Sequence, residues 1–574
     1  MSWRSRSYLV LPALSIRRGA LRGALRLVTA AWMFGVVWAS LASGSHVKVF
    51  CRMMGFNDFA FGVMGAIPFL ATFGQLIAAV LIERTGLRKY QFLHTATIHR
   101  LSWLAIAATP LIFPIPSTWA VVWMLLVLSA SWFMAALSAP AWLTWMGDLI
   151  PRRIRGRFLA SRERRAMLVQ AIVVMVAGLW VDAVYNSALP ETPQAQPRVL
   201  TIISIIFTVA AVFGAIDILL FIRVREVLPA KPGKPVLDFD EPRPPAWHVP
   251  RLLAWSGRYA AAMVRQILLE PLREHHFRNY VLYGATVTFS ATVGNWYFWL
   301  NAMEGLGFSR FAANFLFMVV GPVSAVFAAG FWGRLIDRFG RRPVLVLATL
   351  GAVFSVVPWL LAYRDMPLPG FLTSAINGAG WLAGTIAAQG PWRWIDPAAP
   401  VGAYLVGGIG CVIGGACWLG IGLAQTGIML SFSDSGGRSR FVAACGVLVN
   451  VGGVLGGVVG GIIAQSLIFL QDSPIRWGPF AFNNWHATFV AALVTRTAAT
   501  FWLVGMPESG SAKVIDVLRQ LGSNVYSNAA TLLFYPVRIL GWRPKEDDDE
   551  PPPSHPEPQA PARKDITDNE RSNE

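Results

Sequence analysis

Long apolar runs broken by short charged or turn-forming stretches recur along the whole chain. They fall near Leu25–Ser45, Phe59–Ile82, Phe92–Phe113, Thr118–Met146, Ala166–Tyr185 and Leu200–Ile222. A second set lies near Val281–Asn301, Phe311–Leu335, Val344–Tyr363, Val401–Leu430, Phe441–Ile468 and Ala487–Val504. Each run is long enough to cross a bilayer as a helix, which needs about 20 apolar residues. The pattern therefore predicts an all-α polytopic membrane protein of twelve spans, six and six. Between the two sets, 223–280 is polar and turn-rich, and its later part, Val249–Leu269, mixes arginines with Leu, Trp, Tyr, Met and Ile. That mixture predicts a helix lying along a membrane face.

Further boundaries follow from the same pattern. Residues 1–24 read as a cytosolic N-terminal segment, 25–222 and 281–506 as the two six-helix bundles, and 507–542 as an interfacial amphipathic segment. Residues 543–574, with Glu546-Asp-Asp-Asp-Glu550 and Pro551-Pro-Pro553, read as a disordered cytosolic tail. Residues 364–400 form an insertion in the second set. A single extra crossing there would put the basic loops on either side of it on opposite faces, so it reads as an outer-face hairpin, re-entrant turn or lid.

Composition sharpens the class. Of 574 residues 55% are hydrophobic and 14% charged, against about 25% charged in a soluble domain; mean hydropathy is +0.50. The net charge of +18 does not point to nucleic acid, because the arginines sit in short loops flanking the spans. The clusters Arg84/Arg88/Lys89, Arg152/Arg153/Arg155/Arg157, Arg223/Arg225 and Arg338/Arg341/Arg342 all fall on one side of a twelve-span count. This places that side, and both termini, in the cytoplasm. Cys51, Cys411, Cys417 and Cys445 form no C-x-x-C pair and read as free thiols. No nucleophile elbow, H-E-x-x-H, P-loop or ligand-spaced Cys/His cluster is present, so neither an enzyme, a cofactor nor a metal is expected.

Two loops carry a repeated motif. Gly333-Arg-Leu-Ile-Asp337-Arg338-Phe-Gly340-Arg341-Arg342 lies between the eighth and ninth spans. Ala79-Val-Leu-Ile-Glu83-Arg84-Thr-Gly86-Leu-Arg88-Lys89 lies between the second and third. Glu83 and Asp337, Arg84 and Arg338, and Gly86 and Gly340 share one offset. The glycines permit a tight turn. This pair of loops resembles the G-x-L-x-D-R-x-G-R-R/K motif of the major facilitator superfamily of secondary transporters, here with the second copy complete and the first degenerate. The resemblance implies two six-helix pseudo-repeats that rock about a central site. It also implies that the loop acids meet the start of the eleventh or fifth helix, and that the arginines meet an acid at the end of the fourth or tenth. Asp148 and Asp434 are the matching acids here. Signalling of topology alone is the competing reading of these charges.

In the resembled fold the cavity is lined by the first, fourth, seventh and tenth helices and their neighbours. The candidates for solute binding are then Trp38 and His46 in the first span, Trp142 in the fourth, Asn295, Trp296 and Trp299 in the seventh, Gln425 in the tenth and Asn450 in the eleventh. An aromatic belt at the outer interface is the alternative for the tryptophans. His94, His99, Arg100, Asp217 and Arg496 sit at membrane depth on helices that are peripheral in that fold, so structural pairing is expected of them before proton coupling. The rows Gly452-Gly453, Gly456-Gly457 and Gly460-Gly461 permit close helix contact. The fourth span lacks the buried arginine found in proton-linked members of that superfamily, and the fifth, Val169–Val181, lacks the glycine-proline signature of its drug antiporters. The expectation is a monomeric carrier of a small organic solute in a bacterial cytoplasmic membrane, with H+ or Na+ as candidate coupling ions and the lipid bilayer as its surroundings. A non-transporting sensor or assembly factor on the same fold is the alternative.

Overall fold

A computed structural model describes residues 18–187, 195–226, 239, 241, 244, 248–386, 401–432, 438–504, 514–515 and 517–519. Asp434, the 387–400 part of the insertion, and nearly all of 507–574 lie outside these residues. Residues Ile515–Glu574 form a unit of their own, represented here by a few helical positions.

Within Met1–Val514 the apolar runs form helices where the sequence predicts them, and their ends follow from local chemistry. Arg18–Leu41 is the first span. A short helix, Ser45–Met54, then leads into the second span, Asp58–Ala71 continued by Gly74–Thr85. Asn57 caps the second span by accepting from the Ala60 amide at 2.9 Å, one of the donors that a helix start leaves unpaired. The spans Arg88–Ala107, Thr118–Leu149, Arg152–Ser187 and Ala195–Ile222 complete the first half.

The linker carries the helix Val249–Met263, as its amphipathic pattern predicts. In the second half follow His275–Leu300, then Arg310–Phe315 running through a π turn into Gly321–Phe339. That π turn, Leu316–Val320, ends two residues before Pro322, which has no N–H for the carbonyl one turn back. The ninth span, Arg341–Phe354, breaks before Val357–Leu361. Gly402–Phe432, Arg438–Ser466 and Asn484–Ala499 follow. The insertion begins with a 17-residue helix, Gly370–Ile386. Strands β1 (Ile475–Trp477) and β2 (Phe480–Phe482) pair antiparallel in the loop before the last span, with Gly478 at φ 61° in the turn.

Nine described helices are long and apolar enough to cross a membrane. The helices Arg88–Ala107, His275–Leu300 and Asn484–Ala499 pack among them, consistent with a count of twelve. The faces left uncovered are apolar: Leu126, Leu168, Val212, Phe327 and Phe354 are all exposed, which suits a lipid solvent. The largest buried cluster contains residues of both halves, among them Phe50, Phe61, Phe207, Tyr297, Phe308 and Phe489. A second cluster, around Phe92, Trp145 and Phe221, belongs to the first half alone.

Candidate functional site

Among the described residues, every hydrogen bond and ion pair joining the two halves lies at the end away from the 83–89 and 337–342 loops. One cluster centres on Asp58, which has no exposed surface. Its carboxylate accepts from Arg52 Nη2 at 2.7 Å, Asn484 Nδ2 at 2.7 Å, Trp485 Nε1 at 3.0 Å and Gln471 Nε2 at 3.4 Å. Its main-chain oxygen accepts from the Tyr297 hydroxyl at 2.9 Å. Arg52 in turn reaches Glu304 at 3.0 Å. Burial pulls the Arg52 pKa down, but Glu304 and Asp58 more than offset this and hold it above its ordinary value.

The second cluster joins the fifth and eighth spans. Asp182 accepts the Arg310 and Phe311 amides at 2.9 and 2.8 Å, placing a carboxylate on the positive end of a helix from the other half. Asn314 accepts from the Ser45 amide at 2.7 Å and donates to the Val174 carbonyl at 3.0 Å. Between the clusters lies Lys48, whose ammonium donates to the Ser43 and Gly44 carbonyls and stands 3.9 Å from the Trp299 ring centre and 4.8 Å from that of Trp296. Burial lowers its pKa from 10.5 to about 7. Burial likewise pushes His46 down to about 4, its Nε2 lying 2.6 Å from the Leu41 carbonyl oxygen.

The glycine-rich eleventh span packs closely on both sides, and at Gly457 and Gly461 it meets the other half backbone against backbone. Its two interleaved rows face different neighbours. Gly452, Gly456 and Gly460 lie against the seventh span, where a Cβ would meet the Ala285, Phe289 and Val293 backbone. Gly453, Gly457 and Gly461 lie against the second span of the other half. A Cβ on Gly457 would stand 2.8 Å from the Gly62 oxygen and 2.8 Å from the Ala66 nitrogen.

At the opposite end the loop bonds among the described residues lie within each half. Arg88 pairs with Asp148 at 2.7 Å, as the resemblance implies. Arg341 donates to the Gly427 carbonyl at 2.9 Å and Arg342 to that of Leu503 at 3.0 Å. Gly86 (φ 65°) and Gly340 (φ 90°) make the left-handed turns. Gly333 sits in the helix before its turn, and Asp337 is exposed, with no hydrogen bond or ion pair among the described residues. Arg338 is exposed and lies beside Phe339. Glu83 and Arg84 lie at the end of the helix Gly74–Thr85; their side chains, like Asp434, fall outside the description.

Of the eight residues expected to bind solute, one lines a cavity between the helices of the second half. That cavity, about 550 Å³, lies among the seventh, eighth, ninth, tenth and twelfth spans, with Phe69 of the second at its edge; Asn295 lines it. Trp296 and Trp299 are its neighbours but lie under Lys48. Trp38 is buried in the first half with the Arg100 guanidinium 3.7 Å from its ring centre. Trp142 faces Arg162, the Gln425 carbonyl accepts from Tyr280, and Asn450 bonds back to its own helix at Gly446. His46 is not in the first span, which ends at Leu41, because Ser43 and Gly44 turn the chain into the separate helix Ser45–Met54.

Arg100 and Asp217 form an ion pair at 3.1 Å. Arg496, expected at the periphery, instead lines the cavity. The outer clusters escape a reading by sequence because the partners that join the two halves lie 128 to 427 residues apart. The one local signal is the polar Asn57-Asp58 and Asn483-Asn484 at the starts of apolar runs.

A polytopic helical protein in two halves, fastened at one end and carrying matched charged hairpins at the other, has the build of a membrane transporter. The sequence profile of the Major Facilitator Superfamily matches residues 24–415. The chain belongs to that superfamily. Several solved transporters share the fold. A POT family transporter in complex with 5-aminolevulinic acid is 11% identical, with a TM-score of 0.53, over 85% of this chain and 97% of its own. A bacterial homolog of the human lysosomal transporter Spinster, inward-facing and unoccupied, is 12% identical with a TM-score of 0.52, over 85% and 97%. The nucleoside transporter NupG, as a mutant, is 11% identical with a TM-score of 0.51, over 85% and 100%. No curated protein matches in sequence.

Proposed function

We propose that this protein moves a small organic solute across a bacterial cytoplasmic membrane by alternating access, driven by an H+ or Na+ gradient. The two charged hairpins and both termini face the cytoplasm, the side that basic loops favour. The observation that carries this reading is the one-ended fastening of the halves. Among the described residues, hydrogen bonds to Asp58 and Asp182 and at Asn314 close the outer end, while the loop bonds described at the inner end stay within each half. This is the arrangement of a carrier open to the cytoplasm. Rocking would break the outer clusters and bring the 83–89 and 337–342 loops against the opposite half, where the acids and arginines would hold the outward-open state. Differential contacts of this kind are what allow a solute to shift the balance between states.

The test is uptake by vesicles containing the purified protein, given a mixed pool of sugars, amino acids, nucleosides and organic acids. At least one solute should accumulate above empty vesicles. Accumulation should stop when Arg52→Cys and Glu304→Cys are bridged by a bifunctional thiol reagent, and return when a cleavable bridge is reduced. A pool left untouched, or uptake indifferent to the bridge, refutes the proposal.

A further inference from the structure

The cavity of about 550 Å³ in the second half has one charged residue in its lining, Arg496. Arg496 lies on the twelfth span and is only 3% exposed. Its guanidinium donates to the Ala352 carbonyl at 2.7 Å, the Ser290 carbonyl at 3.3 Å, Ser290 Oγ at 3.3 Å and Ser355 Oγ at 3.5 Å, and lies 4.9 Å from the Trp418 ring centre. All of these partners are neutral. Among the described residues no carboxylate pairs with it, whereas Arg100, buried in the other half, has Asp217 at 3.1 Å.

A guanidinium stays protonated in proteins, and a buried charge is paired, neutralised or functional. The remaining lining fits an amphipathic partner. Phe298, Phe317, Trp359 and Trp418 supply flat apolar walls, and Asn295 an amide. We infer that the solute is a small organic anion, its single carboxylate drawn to Arg496 and its apolar body laid against these rings. The inference rests on the transport reading above and adds the charge class of the solute.

Arg496 also has a structural task. The ninth span breaks at Ser355, where the Val356 amide bonds to Val353 and leaves the Ala352 carbonyl to Ser355 Oγ and Arg496. That task is indifferent to what enters the cavity, so ligand charge separates the two roles.

The experiment is thermal unfolding of the purified full-length protein with benzoate, phenylacetate and indole-3-acetate, each beside its primary amide, and with glucose as a neutral control. A ligand that binds the folded state raises its melting temperature by mass action. At least one carboxylate should give a concentration-dependent rise that its amide does not. Losing a charge-assisted hydrogen bond weakens binding roughly thirtyfold, so Arg496→Gln should raise the half-saturating concentration by that factor and Arg496→Lys by less. Asn295→Ala, which leaves the helix break intact, should weaken the response if Arg496→Gln fails to fold. Equal rises from acid and amide, or no rise from any carboxylate, overturn the inference. If vesicles then accumulate a neutral solute in a bridge-sensitive way, the transport reading survives without it.

Discussion

Replacing Asp58 with alanine should open the outer end. The carboxylate is fully buried and holds four side-chain donors, three of them, on Gln471, Asn484 and Trp485, from the other half. Its ion-pair partner Arg52 belongs to the same half and keeps Glu304 at 3.0 Å, so opening is opposed by the bonds from Asn484 and Trp485 across the join. A hydrogen bond to a charged group contributes about 1.5–3 kcal/mol, and two at the lower limit give about 3 kcal/mol. About 3 kcal/mol at 1.4 kcal/mol per decade is roughly a hundredfold change in the ratio of open to sealed protein. Spin labels at Thr118→Cys and Ser473→Cys, both exposed and both at the outer end, report it, because the four native cysteines are buried. Pulsed dipolar spectroscopy should show a second, longer distance population in Asp58→Ala, and a smaller one in Asp58→Asn. A distance distribution identical to that of the parent, in a protein still folded, would refute the idea that this cluster seals the outer end.

Other outcomes follow from the same geometry. Asp182→Ala removes the acceptor of the Arg310 and Phe311 amides and should shift the same distances by about tenfold in population, at about 1–2 kcal/mol. Lys48 binds its proton less tightly in the sealed protein, with its pKa near 7, than in any state that wets it. The sealed form therefore gains stability as pH rises from 7 toward 10.5, and has least below 7. Melting temperatures measured across that window should rise more in the parent than in Lys48→Met, and parallel slopes would dismiss the lysine. Gly457→Ala should open the outer end with little loss of melting temperature, since its row faces the other half, whereas Gly456→Ala, facing the Phe289 backbone, should lower the melting temperature by several degrees.

Nine of the spans were legible because each is a run long and apolar enough to cross a bilayer as a helix, and the two halves because Glu83–Gly86 and Asp337–Gly340 repeat the same pattern. The pairing of Arg88 with Asp148 was legible through the resemblance. The outer clusters were not, since Asp58, Asp182 and Asn314 acquire their roles from partners more than a hundred residues away. Helical spacing shows which residues share a face and not what that face meets. Arg496 was assigned to the periphery by its span; the break in the ninth span beside it turned its guanidinium to the cavity. His46 shows how a boundary misplaced by a few residues moves a side chain from a cavity wall into a loop helix.

The bare pair Gly457 and Gly461 also decides how the join fails. Long side chains at an interface can bend, change rotamer and keep contact while the surfaces part. Backbone resting on backbone has nothing to extend: a gap of half to one ångström already forfeits a quarter to a half of the dispersion attraction. Adhesion along this seam is therefore brittle and not elastic. Once the flanking hydrogen bonds yield, the seam has no partly stretched condition in which to linger, and the outer end passes from shut to open as a single event.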